Sequence, residues 1–126
     1  MPDSQTVLVI EDEVGMHETM RRLLRKKFNA EAYFVKTGEE AIRALESSDW
    51  HLVISDWDLD TGMDGGEVLL WVLNHKPDLI SRYVFFSSSS RAEEMVVGSG
   101  IPFIRKPAGA DVLVATLSPF FATKED

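Results

Sequence analysis

The chain has no cysteine, no long apolar run and no excess of basic residues, and each absence narrows what it can be. With no cysteine among 126 residues, disulfide scaffolds, thiolate metal sites and cysteine nucleophiles are excluded, and a reducing, cytoplasmic location is expected. No apolar stretch approaches the roughly 20 residues that a membrane span requires. The formal charge of −8 argues against direct binding of nucleic acid, which needs a basic surface.

Strand-like and helix-like segments alternate along the whole chain, which we interpret as a single domain over residues 1–126. Short apolar runs predict strands at 6–10, 31–35, 51–55, 83–86 and 101–105. Amphipathic stretches predict helices at 13–27, 39–46, 67–74, 91–97 and 111–121, the second with a capping box of Thr37 and Glu40. This alternation predicts an α/β fold in which helices cover both faces of a five-stranded parallel sheet.

Charged residues follow three of the predicted strands. Glu11 and Asp12 follow the first strand, Asp56 follows the third, and Lys106 follows the fifth. Because the carboxyl ends of parallel strands meet at one edge of the sheet, where α/β proteins bind ligands, we expect these side chains to converge. The flavodoxin-like strand order 2-1-3-4-5 would set the ends of the first and third strands side by side. We adopt that order for this reason and for the resemblance described below.

The converging residues have the chemistry of a metal and phosphoryl site. Crowded carboxylates stay ionised only with a cation between them, and oxygen ligands without His or Cys favour Mg²⁺ (or Mn²⁺) over zinc. Asp56 is suited to be a nucleophile, because carboxylates form aspartyl-phosphate intermediates. Lys106 would neutralise phosphoryl charge, and the Ser87 hydroxyl would donate to a phosphoryl oxygen. The pattern therefore predicts phosphoryl transfer to Asp56.

Over essentially its whole length the chain resembles the receiver domain of two-component response regulators. Four segments carry the resemblance, in the family's order and close to its spacing: 7–13, 50–56, 83–87 and 106–107. The resemblance implies that Asp56 is the phosphoacceptor and Asp12 a direct metal ligand. Glu11 would act partly through water, and the backbone carbonyl of Asp58 would complete the protein's metal ligands.

The resemblance also implies a switch and a set of partners. Ser87 would follow the phosphoryl group, Lys106 would contact it, and Phe103 would repack as the aromatic switch residue. The surface formed by the last two helices and the fifth strand would change, and a downstream protein or a second copy of the chain would bind it. The phosphoryl donor would be a histidine kinase or a histidine phosphotransfer protein. Such a chain is a signalling domain that assists only its own phosphorylation and dephosphorylation, not an enzyme.

Two segments depart from the family pattern. Asp60 stands where the family usually has proline, and Gly65 comes one position later than the usual glycine, so the loop after Asp56 is one residue longer. The stretch from Ser87 to Lys106 is shorter than usual, which predicts a truncated fourth helix.

Three further interpretations stay open at this point. The chain could be a pseudo-receiver, an interaction module without phosphorylation, which the longer loop favours and the complete acid–hydroxyl–lysine set opposes. Residues 56–67 reproduce the acidic spacing of an EF-hand calcium loop ending in Glu67, but Thr61 replaces the turn glycine and the preceding segment is strand-like. The basic residues at 21–27 suit a helix C-terminus, or else would face an acidic partner.

Overall fold

Five strands alternate with five α-helices in the computed structural model, which describes residues 5–60 and 62–121. The strands are β1 (Gln5–Ile10), β2 (Ala30–Val35), β3 (Leu52–Ser55), β4 (Tyr83–Ser87) and β5 (Phe103–Arg105). The helices are α1 (His17–Phe28), α2 (Gly38–Ser47), α3 (Gly65–His75), α4 (Ser90–Val96) and α5 (Ala110–Leu117). Short 3₁₀ helices precede α1 (Val14–Met16), precede β4 (Pro77–Arg82) and follow α5 (Ser118–Phe120). The predicted domain limits, residues 1 and 126, lie outside the described residues.

The strands form one parallel sheet with the order β2-β1-β3-β4-β5, as predicted. β1 lies at the point where the order reverses, between β2 and β3. Ile10 pairs with Ser55 in the last register position of β1 and β3, so the chain leaves both strands at the same level. The residues that follow these two strands are therefore neighbours at the carboxyl edge of the sheet.

Helices cover both faces of the sheet, which explains the continuous apolar runs of the central strands. Val7 and Val9 of β1 belong to the core beneath α1 and α5, whereas Leu8 and Ile10 belong to the core beneath α2, α3 and α4. Successive strand residues point to opposite faces, so a strand that is buried on both sides needs apolar residues at every position. Among the described residues, no helix is long and apolar enough to cross a membrane.

The predicted start of α3 is wrong, because the helix has an N-cap residue that lies before the predicted start. The helix begins at Gly65 and not at 67, because Asp64 is the N-cap. The Asp64 carboxylate accepts a hydrogen bond from Glu67 N, and the Glu67 carboxylate accepts one from Asp64 N, both at 2.9 Å. This is the reciprocal capping box that we predicted for α2.

At α2 only half of the predicted capping box forms. The Thr37 hydroxyl accepts from Glu40 N at 3.1 Å, but the Glu40 carboxylate accepts from Lys36 N at 2.9 Å and not from Thr37 N. The helix still has its N-cap, and one further backbone donor is satisfied just before it.

Three other predicted bounds differ from the structure by two residues or more. The first helix begins at His17 and not at 13, because the residues before it form the 3₁₀ turn Val14–Met16. β5 begins at Phe103 and not at 101, since Pro102 has no N–H for the ladder. α5 ends at Leu117 and not at 121, where a 3₁₀ turn containing Pro119 follows. α4 has seven residues and is the shortest of the described α-helices, in line with the predicted truncation.

Gly65 permits the close return of the chain from the end of β3 into α3. A Cβ at position 65 would lie 2.2 Å from the carbonyl oxygen of Asp56 and 2.8 Å from Cα of Trp57. We expect Gly65→Ala to lower the free energy of unfolding by about 2 kcal/mol or more, because backbone atoms must move apart. Urea denaturation measures the effect.

Gly15→Ala is the matched control, because a Cβ at position 15 has no atom within 4 Å. Its free energy of unfolding should stay within about 1 kcal/mol of the parent chain. Equal urea midpoints for the two variants would contradict the close approach at Gly65.

Candidate functional site

Backbone hydrogen bonds of the sheet continue past the strand ends and hold the predicted site residues. Because the backbone N–H of each site residue makes the bond, the sheet fixes the backbone position from which its side chain extends. The bonds run from Glu11 N to Val35 O, from Asp56 N to Ile10 O and from Lys106 N to Ser87 O, at 2.9, 2.9 and 3.0 Å.

The Lys106 ammonium joins two buried carboxylates at this edge. Its Nζ lies 2.8 Å from Glu11 Oε1 and 2.9 Å from Asp56 Oδ2. Glu11 is 4% exposed and Asp56 is 8% exposed, so water screens these pairs weakly. The exposed Glu13 carboxylate lies 3.7 Å from the same nitrogen, and the ammonium is 5.3 Å from the centre of the Phe86 ring.

The pKa shifts in this group reflect burial opposed by pairing. Burial raises the pKa of Glu11, although the hydrogen bond and charge of Lys106 oppose the shift. Burial acts to lower the pKa of Lys106, but its hydrogen bonds to Glu11 and Asp56 and their negative charges together outweigh it, so this pKa is raised. The ammonium is therefore held in its charged form by the carboxylates.

Three carboxylates form an acidic cluster around the same point: Glu11, Asp12 and Asp56. One carboxylate oxygen from each lies within 4.8 Å of the others, and Asp12 is the more exposed member. Within residues 5–60 and 62–121, no other group of three His, Cys, Asp or Glu side chains converges in this way. The donor set consists of oxygen atoms alone, which suits a hard divalent cation.

The remaining predicted site residues lie around the acidic cluster. Ser87 is fully buried at the end of β4, and its Oγ accepts from Ser89 N at 3.2 Å. Phe103 is half-buried at the start of β5, with its ring 6.2 Å from the ring of Phe85. Asp58 is exposed in the loop after β3, and its carboxylate is not a member of the acidic cluster.

The structure gives no support to a calcium loop over residues 56–67. Asp56 is paired with Lys106, and Glu67 closes the capping box of α3. A strand, β3, precedes this segment where an EF-hand has a helix. Thr61, which stands at the turn position of the calcium motif, lies outside the described residues.

Two contacts of the acidic cluster were missed at the level of sequence. Trp57 N donates to Asp56 Oδ1 at 2.6 Å, a backbone bond that no side-chain pattern reports. His17 Nε2 donates to the carbonyl oxygen of Glu11 at 2.8 Å, and its ring stacks on Phe34 with centres 4.4 Å apart. The 3₁₀ turn before α1 brings His17 back to the strand end, and no spacing rule in the sequence indicates that contact.

Solved structures share this arrangement of strands and helices. The response regulator TrrA from Thermotoga maritima, crystallised with Mg²⁺-BeF, superimposes with a TM-score of 0.81 at 22% identity, over 93% of this chain and 99% of TrrA. The receiver domain of a signal transduction histidine kinase from Syntrophus aciditrophicus gives 0.80 at 25% identity, over 98% and 95%. The receiver domain of a Pseudomonas aeruginosa sensor histidine kinase, with a magnesium ion in its active-site cleft, gives 0.80 at 17% identity, over 94% and 98%.

The family assignment comes from the sequence profile of the response regulator receiver domain, which matches residues 7–118. No curated protein matches the chain. The matched range includes every residue of the acidic cluster together with Ser87 and Lys106. The chain therefore belongs to the response regulator receiver domain family of two-component signal transduction.

Proposed function

We propose that Asp56 accepts a phosphoryl group and that the added charge switches this receiver domain between two conformations. The observation that carries the proposal is the meeting of a carboxylate nucleophile, an ammonium group and an acidic cluster in one buried site. The proposed donor is a histidine kinase or a histidine phosphotransfer protein. A small acyl phosphate such as acetyl phosphate replaces it in the laboratory.

In the proposed transfer, an oxygen of Asp56 attacks the phosphorus of the donor's phosphohistidine. The new O–P bond forms as the N–P bond breaks, and the histidine nitrogen keeps the electron pair. Trp57 N holds Oδ1 at 2.6 Å, which orients the carboxylate and leaves Oδ2 facing Lys106. The Lys106 ammonium, which pairs with Oδ2 before the transfer, would then pair with a negatively charged phosphoryl oxygen.

The acidic cluster fits a divalent cation by its chemistry. Glu11, Asp12 and Asp56 would hold Mg²⁺ or Mn²⁺, with the backbone carbonyl of Asp58 as a further ligand, and the Mg²⁺ in TrrA and in the Pseudomonas receiver domain supports this choice. When bound, the ion supplies positive charge that offsets the charge of the phosphoryl oxygens.

The proposed switch uses Ser87 and Phe103. The Ser87 hydroxyl would donate to a phosphoryl oxygen in the active state, and Phe103, half-buried and close to Phe85, would repack as that hydroxyl moves inward. The surface of α4, β5 and α5 would change as a result. The shift in population is limited by the difference in contact energy between the two states.

Lys106 offsets the repulsion within the acidic cluster, so its removal should cost stability that a divalent cation restores. We expect Lys106→Met to lower the free energy of unfolding by about 2 kcal/mol in EDTA, less than for a fully buried pair because the Lys106 side chain is 12% exposed. Added Mg²⁺ should recover part of the loss. Urea denaturation with and without Mg²⁺ measures both effects.

Lys26→Met is the control for that experiment, because the exposed Lys26 carries the same charge on a free helix surface. Its stability should stay within about 0.5 kcal/mol of the parent chain. If Lys106→Met unfolds at the parent's urea concentration in EDTA, Lys106 does not hold the carboxylates together.

Replacement of Asp56 tests the phosphoacceptor directly. We expect Asp56→Asn to abolish labelling by radioactive acetyl phosphate in the presence of Mg²⁺, because an amide does not replace the carboxylate nucleophile. Asp60→Asn is the matched control, since it changes an exposed carboxylate of the same loop and should keep its labelling. Labelling of Asp56→Asn at the parent's stoichiometry refutes the assignment. A parent chain that takes no label would instead be a pseudo-receiver.

Replacement of Ser87 separates phosphorylation from switching. Ser87→Ala should keep acetyl-phosphate labelling but lose a charge-assisted hydrogen bond worth about 1.5–3 kcal/mol, which lowers the equilibrium constant for the active state roughly tenfold or more. The amide chemical shifts of residues 103–105 on phosphorylation report that population. Ser90→Ala, at an exposed position three residues later, should respond like the parent chain. Parent-like shift changes in Ser87→Ala would remove Ser87 from the switch.

A further inference from the structure

Helix α1 carries a concentrated positive charge on a chain that is acidic overall. Five of the 13 basic residues lie in this helix, which contains a single acidic residue, Glu18. All five are exposed, and they are Arg21, Arg22, Arg25, Lys26 and Lys27. Because the formal charge of the whole chain is −8, this positively charged surface differs from the rest of the chain and has the sign that favours an acidic ligand.

Strand β2, which lies beside α1, forms an edge of the sheet. β2 pairs with β1 alone among the described strands. The carbonyl oxygen of Val35 accepts from Glu11 N, so the polar backbone groups of Val35 point toward β1. Backbone groups alternate along a strand, and those of Ala32 and Phe34 therefore point to the open edge, where an added strand can bind them.

The basic surface and the open edge adjoin along one groove of about 170 Å³. Arg21 and Arg25 line its α1 side, with side chains that are 51% and 63% exposed. Arg21 lies over the Phe34 ring at 4.8 Å and pairs with Glu18 at 3.1 Å. Arg25 is 3.8 Å from Glu31 of β2, a separation at which an incoming carboxylate can compete.

We propose that this groove is a docking surface for an extended, acidic segment of a partner protein, which adds to the sheet as a sixth strand beside β2. Side chains on one face of a strand repeat every second residue, about 6.6 Å apart. Arg21 and Arg25 are one helical turn apart, with Cβ atoms about 5–6 Å from each other. A segment with an acidic residue at every second position therefore matches both arginines while its backbone pairs with the edge.

Charge and symmetry argue against the other occupants of this surface. Nucleic acid and anionic membranes present many phosphates, and the net charge of −8 opposes their approach beyond the five basic residues. A second copy of the chain, paired β2 to β2 about a twofold axis, would bring both sets of Arg21 and Arg25 together. A short acidic segment meets neither obstacle.

This docking surface is independent of the proposed phosphoryl chemistry. β2 and β5 are the two opposite edges of the sheet, so a strand beside β2 leaves the α4–β5–α5 surface open. Variants in the groove should label with acetyl phosphate like the parent chain, and failure of one proposal leaves the other standing.

The test uses the full chain and a fluorescent peptide of alternating Glu and Val residues. Anisotropy titration at low salt should show saturable binding, with amide shift changes in residues 30–35. Arg21→Glu combined with Arg25→Glu should weaken the binding at least about tenfold, because two favourable charge pairs become repulsive. Arg22→Glu combined with Lys26→Glu is the matched control. It makes the same change of net charge on the same helix, outside the groove, and should cost less than about threefold.

Two further peptides test the strand geometry. A peptide with the same composition but with its Glu residues in one block should bind at least about tenfold more weakly, and so should one with N-methyl groups on alternate backbone nitrogens. Equal loss in the two double variants, equal binding of the block peptide, or no binding at all would overturn the proposal. So would preferred binding of duplex DNA or phosphatidylserine vesicles, or dimerisation of the chain through β2.

Discussion

The interaction on which the site depends is the one between the Lys106 ammonium and the buried carboxylates of Glu11 and Asp56. Removing two carboxylates from water is costly, and the cost is offset only where a positive charge reaches both. Here one nitrogen lies within 2.9 Å of an oxygen from each. Because these residues follow β1, β3 and β5, a single ammonium group ties together three strand ends that are distant in the sequence. The pairing exists only when the whole sheet has assembled.

The same arrangement explains how the site can respond to charge. Buried, paired charges are sensitive to any further charge, because little water is present to screen it. A phosphoryl group on Asp56 would add negative charge where the acidic cluster is already crowded, and Lys106 and Ser87 are the neighbours able to compensate. Ser87 is fully buried and is linked to Lys106 through a backbone hydrogen bond. Lys106 thus contacts both Asp56 and the end of β4.

The parallel sheet separates the functions of the domain in space. Its carboxyl edge holds the acidic cluster, and the β5 side carries the proposed switching surface. The β2 side carries the basic residues of α1 and an open strand edge. Neither side overlaps the other, since three strands lie between β2 and β5. The proposed switching surface and the proposed docking surface therefore lie on opposite sides of the sheet.

The strand order was adopted from the resemblance to receiver domains and from the expected convergence of the strand-end charges, and the sheet confirms it. The sequence by itself determined the fold class and the residues of the acidic cluster, because apolar periodicity and charged residues at strand ends are local features of the chain. It did not determine the start of α3, since Asp64 acts as a cap only through its geometry with Glu67, nor the contact of His17 with Glu11, which depends on a 3₁₀ turn. Only the tertiary structure decided that Lys106 bridges Glu11 and Asp56, and that Arg21 and Arg25 border an open edge. Distances between residues far apart in the chain are set by the packing of helices on the sheet, and no local pattern encodes them.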